Sequence, residues 1–522
     1  MRVHIRILCF VVYLFQICRS ANILYLAGIP SPSHGIWNFR LIEELAARGH
    51  NLTVLSVDKA RKPIPNTQII DMEEIYEVVH DNSEFNIGDF VAPGVFEEVQ
   101  IVFDLVYKSC KLIGESKGFK KLLSYPNNHK FDLIINDSTI FGCLVAFLHK
   151  FNYPPLVNVS PYKYTPTMAE STGGHIYGAY IPGPVHPFGV NMSFMQRLEN
   201  TVVGLYEILY RRFKFQSKFD ELVVSMTGMQ DLPSTFDLIQ KASLTLLNIH
   251  PATDFPLPLP PNVIGVGGLQ ISDPKPLPAD LEKFIQGSKK GAVLIAFGTN
   301  VRSDVFEDDK QQMVIDVAKK FPDFNFLWKF EKDPTEGKVP NLLVRTWLPQ
   351  NDILAHPKTK AFISHGGGLS THEATWHGVP LVTIPFLMDQ KTNSYGSVIA
   401  GVAVSVDVQT MTSMDLEAAV RTILEDPSYT ERMKLRSLRF KTRPMKPVDE
   451  AVWWIEYVLK DPSATHLRSP VIELGLFKGN CGDLFLCCFF VLVLVLVILR
   501  CVLSILCRFL SPKKSGQKVK KS

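Results

Sequence analysis

Cysteine is scarce where a folded body would use it. Of nine cysteines in 522 residues, Cys9 and Cys18 fall in an N-terminal apolar leader, and Cys487, Cys488, Cys501 and Cys507 lie in or beside a C-terminal hydrophobic run. Only Cys110 and Cys143 remain in the main body, with Cys481 close to the run. That distribution excludes a disulfide framework, and the isolation of the two excludes a cysteine metal cluster. Charge of one sign is also lacking: the net value is +4, with no basic stripe interleaved with aromatics, so nucleic acid is not an expected partner. Internal repeats, heptads and low-complexity tracts are missing, which removes support for a scaffolding role.

What is present is core-forming sequence in α/β order. About 46% of the residues are hydrophobic, and strands alternate with helices along most of the length. This argues for two doubly wound α/β halves of ordinary domain size. The Pro-rich stretch "HPATDFPLPLPPNVIGVGGLQISDPKPLPADL" interrupts the alternation, and the linker is placed in its second half. The domains are therefore expected at 21–275 and 276–440.

The densest chemistry lies in "RTWLPQNDILAHPKTKAFISHGGGLSTHEATWHGVPLVTIPFLMDQ", from Arg345 to Gln390. "TKAFISH" reads as a buried strand, "GGG" as a turn, and "LSTHEATWHG" as a helix closed by Gly378. A helix that opens on glycines presents unpaired N–H groups and its positive end to an anion. Trp347 and Gln350 follow the strand in "NLLVRTWLPQ". Glu373 lies about one turn inside the helix, and Asp389 and Gln390 follow "VPLVTIP". A flat ring, an amide, a carboxylate and a carboxylate–amide pair thus stand at the carboxyl ends of parallel strands, where open α/β sheets bind ligands. His372 and His377 are five apart, not the four of a zinc helix, and read as structural.

This segment, with "SPSH", "GHNLTVLS", "WLPQND", "HGG" and the C-terminal hydrophobic run, resembles the UDP-glycosyltransferases of family 1, most closely the membrane-bound animal branch and its insect members. The resemblance implies the GT-B fold, two Rossmann-like doubly wound domains facing a cleft. It implies that Trp347 stacks on uracil, Gln350 contacts the uridine and Glu373 accepts from the ribose hydroxyls. His365 and the backbone from Gly367 to Ser370, with Gly298 and Thr299 of "LIAFGTN", would hold the diphosphate. Asp389 and Gln390 would read the sugar. Where many relatives have Asn in this glycine loop, Leu369 and Ser370 stand here, so backbone contacts carry more weight there than side chains.

In the N-terminal half, "NILYLAG" is a strand, "IPSPSH" a turn, "GIWNFRLIEELAARGH" an amphipathic helix and "NLTVLSVD" the next strand. His34 falls after the first strand, and Asp137 ends a second, "KFDLIIND". Residues at the mouths of two parallel strands can share one crevice, and a carboxylate on one imidazole nitrogen leaves the other to take a proton. The resemblance assigns His34 as general base and Asp137 as its partner in an inverting transfer. No cofactor or metal is implied, UDP-sugar being a co-substrate. Glucose is the expected sugar and a small lipophilic phenol, steroid or flavonoid the expected acceptor, bound within Asp81–Tyr125 and Tyr162–Leu222. Alternatives are glucuronosyl or other sugar transfer, and a non-catalytic lumenal binding protein of the same fold. Self-association into a homo-oligomer is compatible with the resemblance.

Both ends read as membrane signals. Residues 1–20 suit a cleaved secretory signal. Leu484–Cys507 is long enough to cross about 30 Å of hydrocarbon, and the basic tail 508–522, which has no acidic residue, places itself in the cytosol by positive-inside bias. The final "KVKKS" resembles dilysine signals read by coat proteins, pointing to the endoplasmic reticulum membrane in a single-pass type I arrangement with lumenal catalytic domains. By resemblance, 441–465 crosses back to the N-terminal domain, ahead of a juxtamembrane segment 466–483. Trp453 and Trp454 on that crossover are expected in the core. Of the sequons at Asn51, Asn136, Asn158 and Asn191, only Asn191 is favoured, Asn51 being set aside for buried neighbours.

Overall fold

The computed structural model describes residues 20–81, 94–139, 142–299, 308–332 and 339–510. The leader, the dilysine-like tail and part of the expected acceptor region fall outside the described residues. Residues up to Ser469 form one compact body, and those from Pro470 form a second unit.

Two all-parallel sheets organise the body. The first has seven strands in the order β3-β2-β1-β4-β5-β6-β7: β1 Asn22–Ala27, β2 Asn51–Ser56, β3 Thr67–Asp71, β4 Leu133–Asp137, β5 Leu156–Ser160, β6 Leu244–Leu247 and β7 Val263–Gly265. The second has six, β10-β9-β8-β11-β12-β13: β8 Gly291–Ala296, β9 Phe324–Lys329, β10 Leu342–Arg345, β11 Thr359–Ser364, β12 Leu381–Thr383 and β13 Ala403–Ser405.

The strands are apolar on both faces because both faces are covered. In β1, Ile23 and Tyr25 join one core while Leu24 and Leu26 join the other. In β8, Val293 and Ile295 separate in the same way from Ala292 and Leu294. This is the alternation of a strand buried between helical layers. In each sheet the strand order reverses once, between β1 and β4 and between β8 and β11, and each reversal opens a crevice at the carboxyl ends of the strands.

The helix after β1 spans Pro32–Ala47, three residues earlier than its sequence pattern suggests. Proline lacks an N–H and its fixed φ suits the first helical position, so "PSH" forms the first turn and His34 is helical. The Pro447–Lys460 helix packs Val448, Ala451, Val452, Ile455 and Val458 into the N-terminal core beside Trp37 and Leu41. That face fixes the others, and Trp453, expected in the core, points outward with 47% of its surface exposed. It stacks instead on Tyr457, one turn along, at 5.7 Å.

A second correction concerns the cysteines. Cys110, on the Val95–Glu115 helix, and Cys143 are joined in a disulfide with a Cα–Cα distance of 5.9 Å. The two are 33 residues apart in sequence, and only the packing of that helix against the segment after β4 makes them neighbours.

The second unit contains the Gly482–Leu510 helix, 29 residues long, or roughly 43 Å at 1.5 Å per residue. It is apolar enough to span a membrane and exposes its large hydrophobic side chains along its length.

Candidate active site

Each crevice holds one half of the site. At the β1/β4 reversal, His34 Nδ1 lies 3.2 Å from Asp137 Oδ2, with the carboxylate fully buried and the imidazole 14% exposed. Asp137 has further support. Asn38 Nδ2 donates to Oδ2 at 2.9 Å, while the Thr139 backbone N–H and hydroxyl donate to Oδ1 at 3.1 and 2.6 Å. Burial opposes ionisation, but the charge and hydrogen bond of His34 and the bonds from Thr139 and Asn38 outweigh it and hold this carboxyl below its ordinary range. With Nδ1 turned to Asp137, Nε2 is the nitrogen left to accept a proton.

Asn38 and Thr139 escaped the sequence reading. Asn38 follows His34 by one helical turn and so shares its face, a signal available only once the helix is known to begin at Pro32.

At the β8/β11 reversal, the imidazole of His365 is packed between two glycine backbones. A Cβ on Gly298, whose φ is +80°, would fall 2.7 Å from the ring, and one on Gly367 would fall closer still. Only glycine lets the chain pass His365 at both positions. Burial, helped by the charge of Lys329, pushes the imidazole down to about 4, so it is neutral. Its Nδ1 and the Thr299 hydroxyl are buried without hydrogen-bond partners among the described residues. Gly367 caps the Gly368–His377 helix with extended backbone and no side-chain bond, leaving the first N–H groups of that helix open to an anion.

Beside this lies a polar ledge. Gln350 opens the Gln350–Ala355 helix, and its Nε2 donates to Glu373 Oε2 at 2.8 Å and to Ser370 Oγ at 3.1 Å. Burial pushes Glu373 up to about 7, with the Gln350 bond acting in the other direction. Trp347, just past β10, is 51% exposed, and the Arg61 guanidinium from the N-terminal domain lies over its ring at 4.6 Å.

Asp389 and Gln390 begin the Asp389–Ile399 helix. The Gln390 side-chain carbonyl accepts from the Phe386 and Leu387 N–H groups at 2.9 and 3.2 Å, which fixes the turn and aims the amide. Asp389 accepts from Asn393 at 2.8 Å. Its carboxyl is raised by burial, against the pull of Lys163, Asn393 and His34. The two halves meet at this helix start, where Glu98 of the N-terminal half accepts from the Met388 backbone N–H at 2.9 Å and from Lys391 Nζ at 3.1 Å.

Two residues read as structural are occupied as such: His372 Nε2 pairs with the Thr253 hydroxyl at 3.0 Å and His377 Nε2 with Asn351 Oδ1 at 2.9 Å. Asn191 is exposed, while Asn136 and Asn158 are buried. Asn51, the first residue of β2, is itself exposed, while its neighbours His50 and Leu52 are buried, as expected.

Residues 30–519 match the family model described as UDP-glucoronosyl and UDP-glucosyl transferase. The chain is 34% identical over 446 residues to UDP-glucosyltransferase 2 of Dactylopius coccus, covering 84% of each chain. It is 31% identical over 504 residues to the human UDP-glucuronosyltransferase 2B7, covering 91% of this chain and 92% of that one. Among solved structures, the calicheamicin glycosyltransferase and the spinosyn forosaminyltransferase superpose with TM-scores of 0.53 and 0.56 at 18% and 16% identity, each over 84% of this chain and 99% of the other. At that identity the likeness concerns the GT-B fold.

Proposed function

Because the chain belongs to the UDP-glucuronosyl and UDP-glucosyl transferases, in the animal branch of family 1, we propose that it transfers glucose from UDP-glucose to the hydroxyl of a small lipophilic acceptor, with inversion and with His34 as base. Hexosyl transfer from a UDP-sugar follows from the family. The base, the acceptor class and the choice of glucose are the finer reading.

The observations that carry this reading are the His34–Asp137 pair at one strand-order reversal and, at the other, the open helix terminus and unpartnered polar atoms around His365. The acceptor oxygen attacks the anomeric carbon as the bond from that carbon to the diphosphate oxygen breaks, and the hydroxyl proton passes to His34 Nε2. Asp137 stabilises the imidazolium that forms. Charge developing on departing UDP is met by the N–H groups of the Gly368–His377 helix, by Thr299 and by His365, a preorganised set that requires no cation in this scheme. Trp347 stacks on the uracil, Gln350 contacts the uridine, Glu373 accepts from the ribose, and Asp389 with Gln390 reads the sugar hydroxyls.

A lipophilic acceptor is supported by the largely apolar lining of a pocket formed by Val99, Tyr164, Ile176, Tyr177, Val203 and Leu257 among others. Glucose is favoured by the similarity to the Dactylopius UDP-glucosyltransferase. The apolar Gly482–Leu510 helix supports membrane anchoring, and the buried Cys110–Cys143 disulfide supports an oxidising lumen. With the basic tail and its "KVKKS" ending, we assign a type I protein retained in the endoplasmic reticulum.

Microsomes bearing the full chain, incubated with UDP-glucose, UDP-galactose or UDP-glucuronate and a panel of phenols, steroids and flavonoids, test this reading. Glucosides should form fastest. Faster glucuronide formation would shift the donor to glucuronate, and UDP binding without any conjugate would leave a non-catalytic binding protein.

A further inference from the structure

Glu98 lies in the first turn of the Val95–Glu115 helix, on the acceptor side of the cleft, and is completely buried. A buried carboxylate is costly unless its oxygens are bonded. Both are, and both bonds cross to the other domain: Oε1 accepts from the Met388 backbone N–H at 2.9 Å, and Oε2 from Lys391 Nζ at 3.1 Å. Met388 and Lys391 bracket Asp389 and Gln390. Met388 has φ 51° and ψ −132°, a left-handed conformation that a side chain disfavours and that persists only where the surroundings enforce it. A further contact holds the same helix start: the Thr392 hydroxyl donates to the Pro184 carbonyl at 2.7 Å.

We propose that Glu98 is a positioning residue for donor-sugar selection: from the acceptor-side domain, it sets the strained turn that aims Asp389 and Gln390. This rests on the reading of that pair as sugar contacts. The turn that reads the sugar is then not a property of the donor domain alone. Among the described residues, Trp347, Gln350 and Glu373 follow other strands and make no bond to Glu98, so UDP, which lacks the transferred hexose, does not sense it.

The test uses the full-length enzyme in microsomes, normalised to protein content, with Glu98→Ala, Glu98→Gln, Lys391→Met and, as control, Asp389→Ala. In Glu98→Ala, kcat/KM for UDP-glucose should fall at least tenfold, mainly in kcat, and the preference for UDP-glucose over UDP-galactose should narrow. The inhibition constant of UDP should stay within twofold. Glu98→Gln, which keeps an acceptor for the Met388 N–H, should lie between Glu98→Ala and wild type and recover part of the sugar preference. A kcat/KM and sugar ratio within twofold of wild type in both Glu98 variants would overturn the proposal, as would UDP inhibition weakening in step with turnover, the mark of a merely structural role. Should Glu98→Ala not accumulate, Glu98→Gln and Lys391→Met are judged by the same criteria. If Asp389→Ala is itself unaffected, the sugar-reading role fails; if it is impaired while the Glu98 variants are not, only the present inference fails.

Discussion

His34 Nδ1 and Asp137 Oδ2 lie 3.2 Å apart although 103 residues separate them, one in the first turn of the helix after β1 and the other at the end of β4. Their strands are hydrogen-bonded neighbours at the one place where the sheet order reverses, so the pair is held by the topology rather than by a loop. Asp137→Asn keeps the shape of the side chain and removes the charge that supports a protonated imidazole. Turnover should fall by about ten- to a hundredfold, with KM for UDP-glucose little changed, as steady-state kinetics would show.

Glu373 gives a pH dependence of definite sign. Its folded value of about 7 lies above the ordinary 4.5, so the folded state holds this proton more tightly than the unfolded one does. The associated stability is present in full below the unfolded value and is lost as pH rises through about 7. Glu373→Gln removes that loss. In the absence of donor the variant should melt higher than wild type at pH 8 and equal to it at pH 4, the difference at high pH being on the order of 3 kcal/mol, while UDP binds it more weakly. Equal melting curves at pH 8 would show that Glu373 is not held in an unfavourable charged state.

The donor residues should separate by what they touch. Trp347→Ala removes a stacking surface and should weaken UDP by about 1 to 3 kcal/mol, visible as a raised UDP inhibition constant. Asp389→Ala should leave UDP inhibition intact and lower turnover with altered sugar preference. A loss of UDP affinity in Asp389→Ala equal to that in Trp347→Ala would remove the distinction.

The Cys110–Cys143 bridge closes a segment of 33 residues. Its removal in Cys110→Ser with Cys143→Ser should cost about 3 to 4 kcal/mol by loop entropy, read as a lower melting temperature. Dithiothreitol should destabilise wild type and leave the double variant unaffected.

Much of this architecture was legible because its signals are local. An apolar strand, a glycine turn and a helix appear as such in "TKAFISHGGGLSTHEATWHG", and the two crevices follow from the α/β alternation. The less legible residues act across distance. Cys110 and Cys143 become neighbours only through packing. Arg61 reaches Trp347 and Glu98 reaches Met388 from another domain, and nothing in their flanking sequence marks either role. Trp453 was misplaced because an aromatic residue signals burial by type, whereas the face of its helix is set by Val448, Ala451, Val452, Ile455 and Val458. The His34 helix begins earlier than its pattern suggests because "IPSPSH" contains prolines that suit a turn and a helical first position equally.

The most direct measurement is the single-turnover rate of His34→Ala with a phenolic acceptor and saturating UDP-glucose, beside the UDP inhibition constant of the same protein. Loss of the proposed base should slow the chemical step by about two orders of magnitude or more while UDP binds as before. A rate within a few fold of wild type would contradict the assignment of His34 as the base.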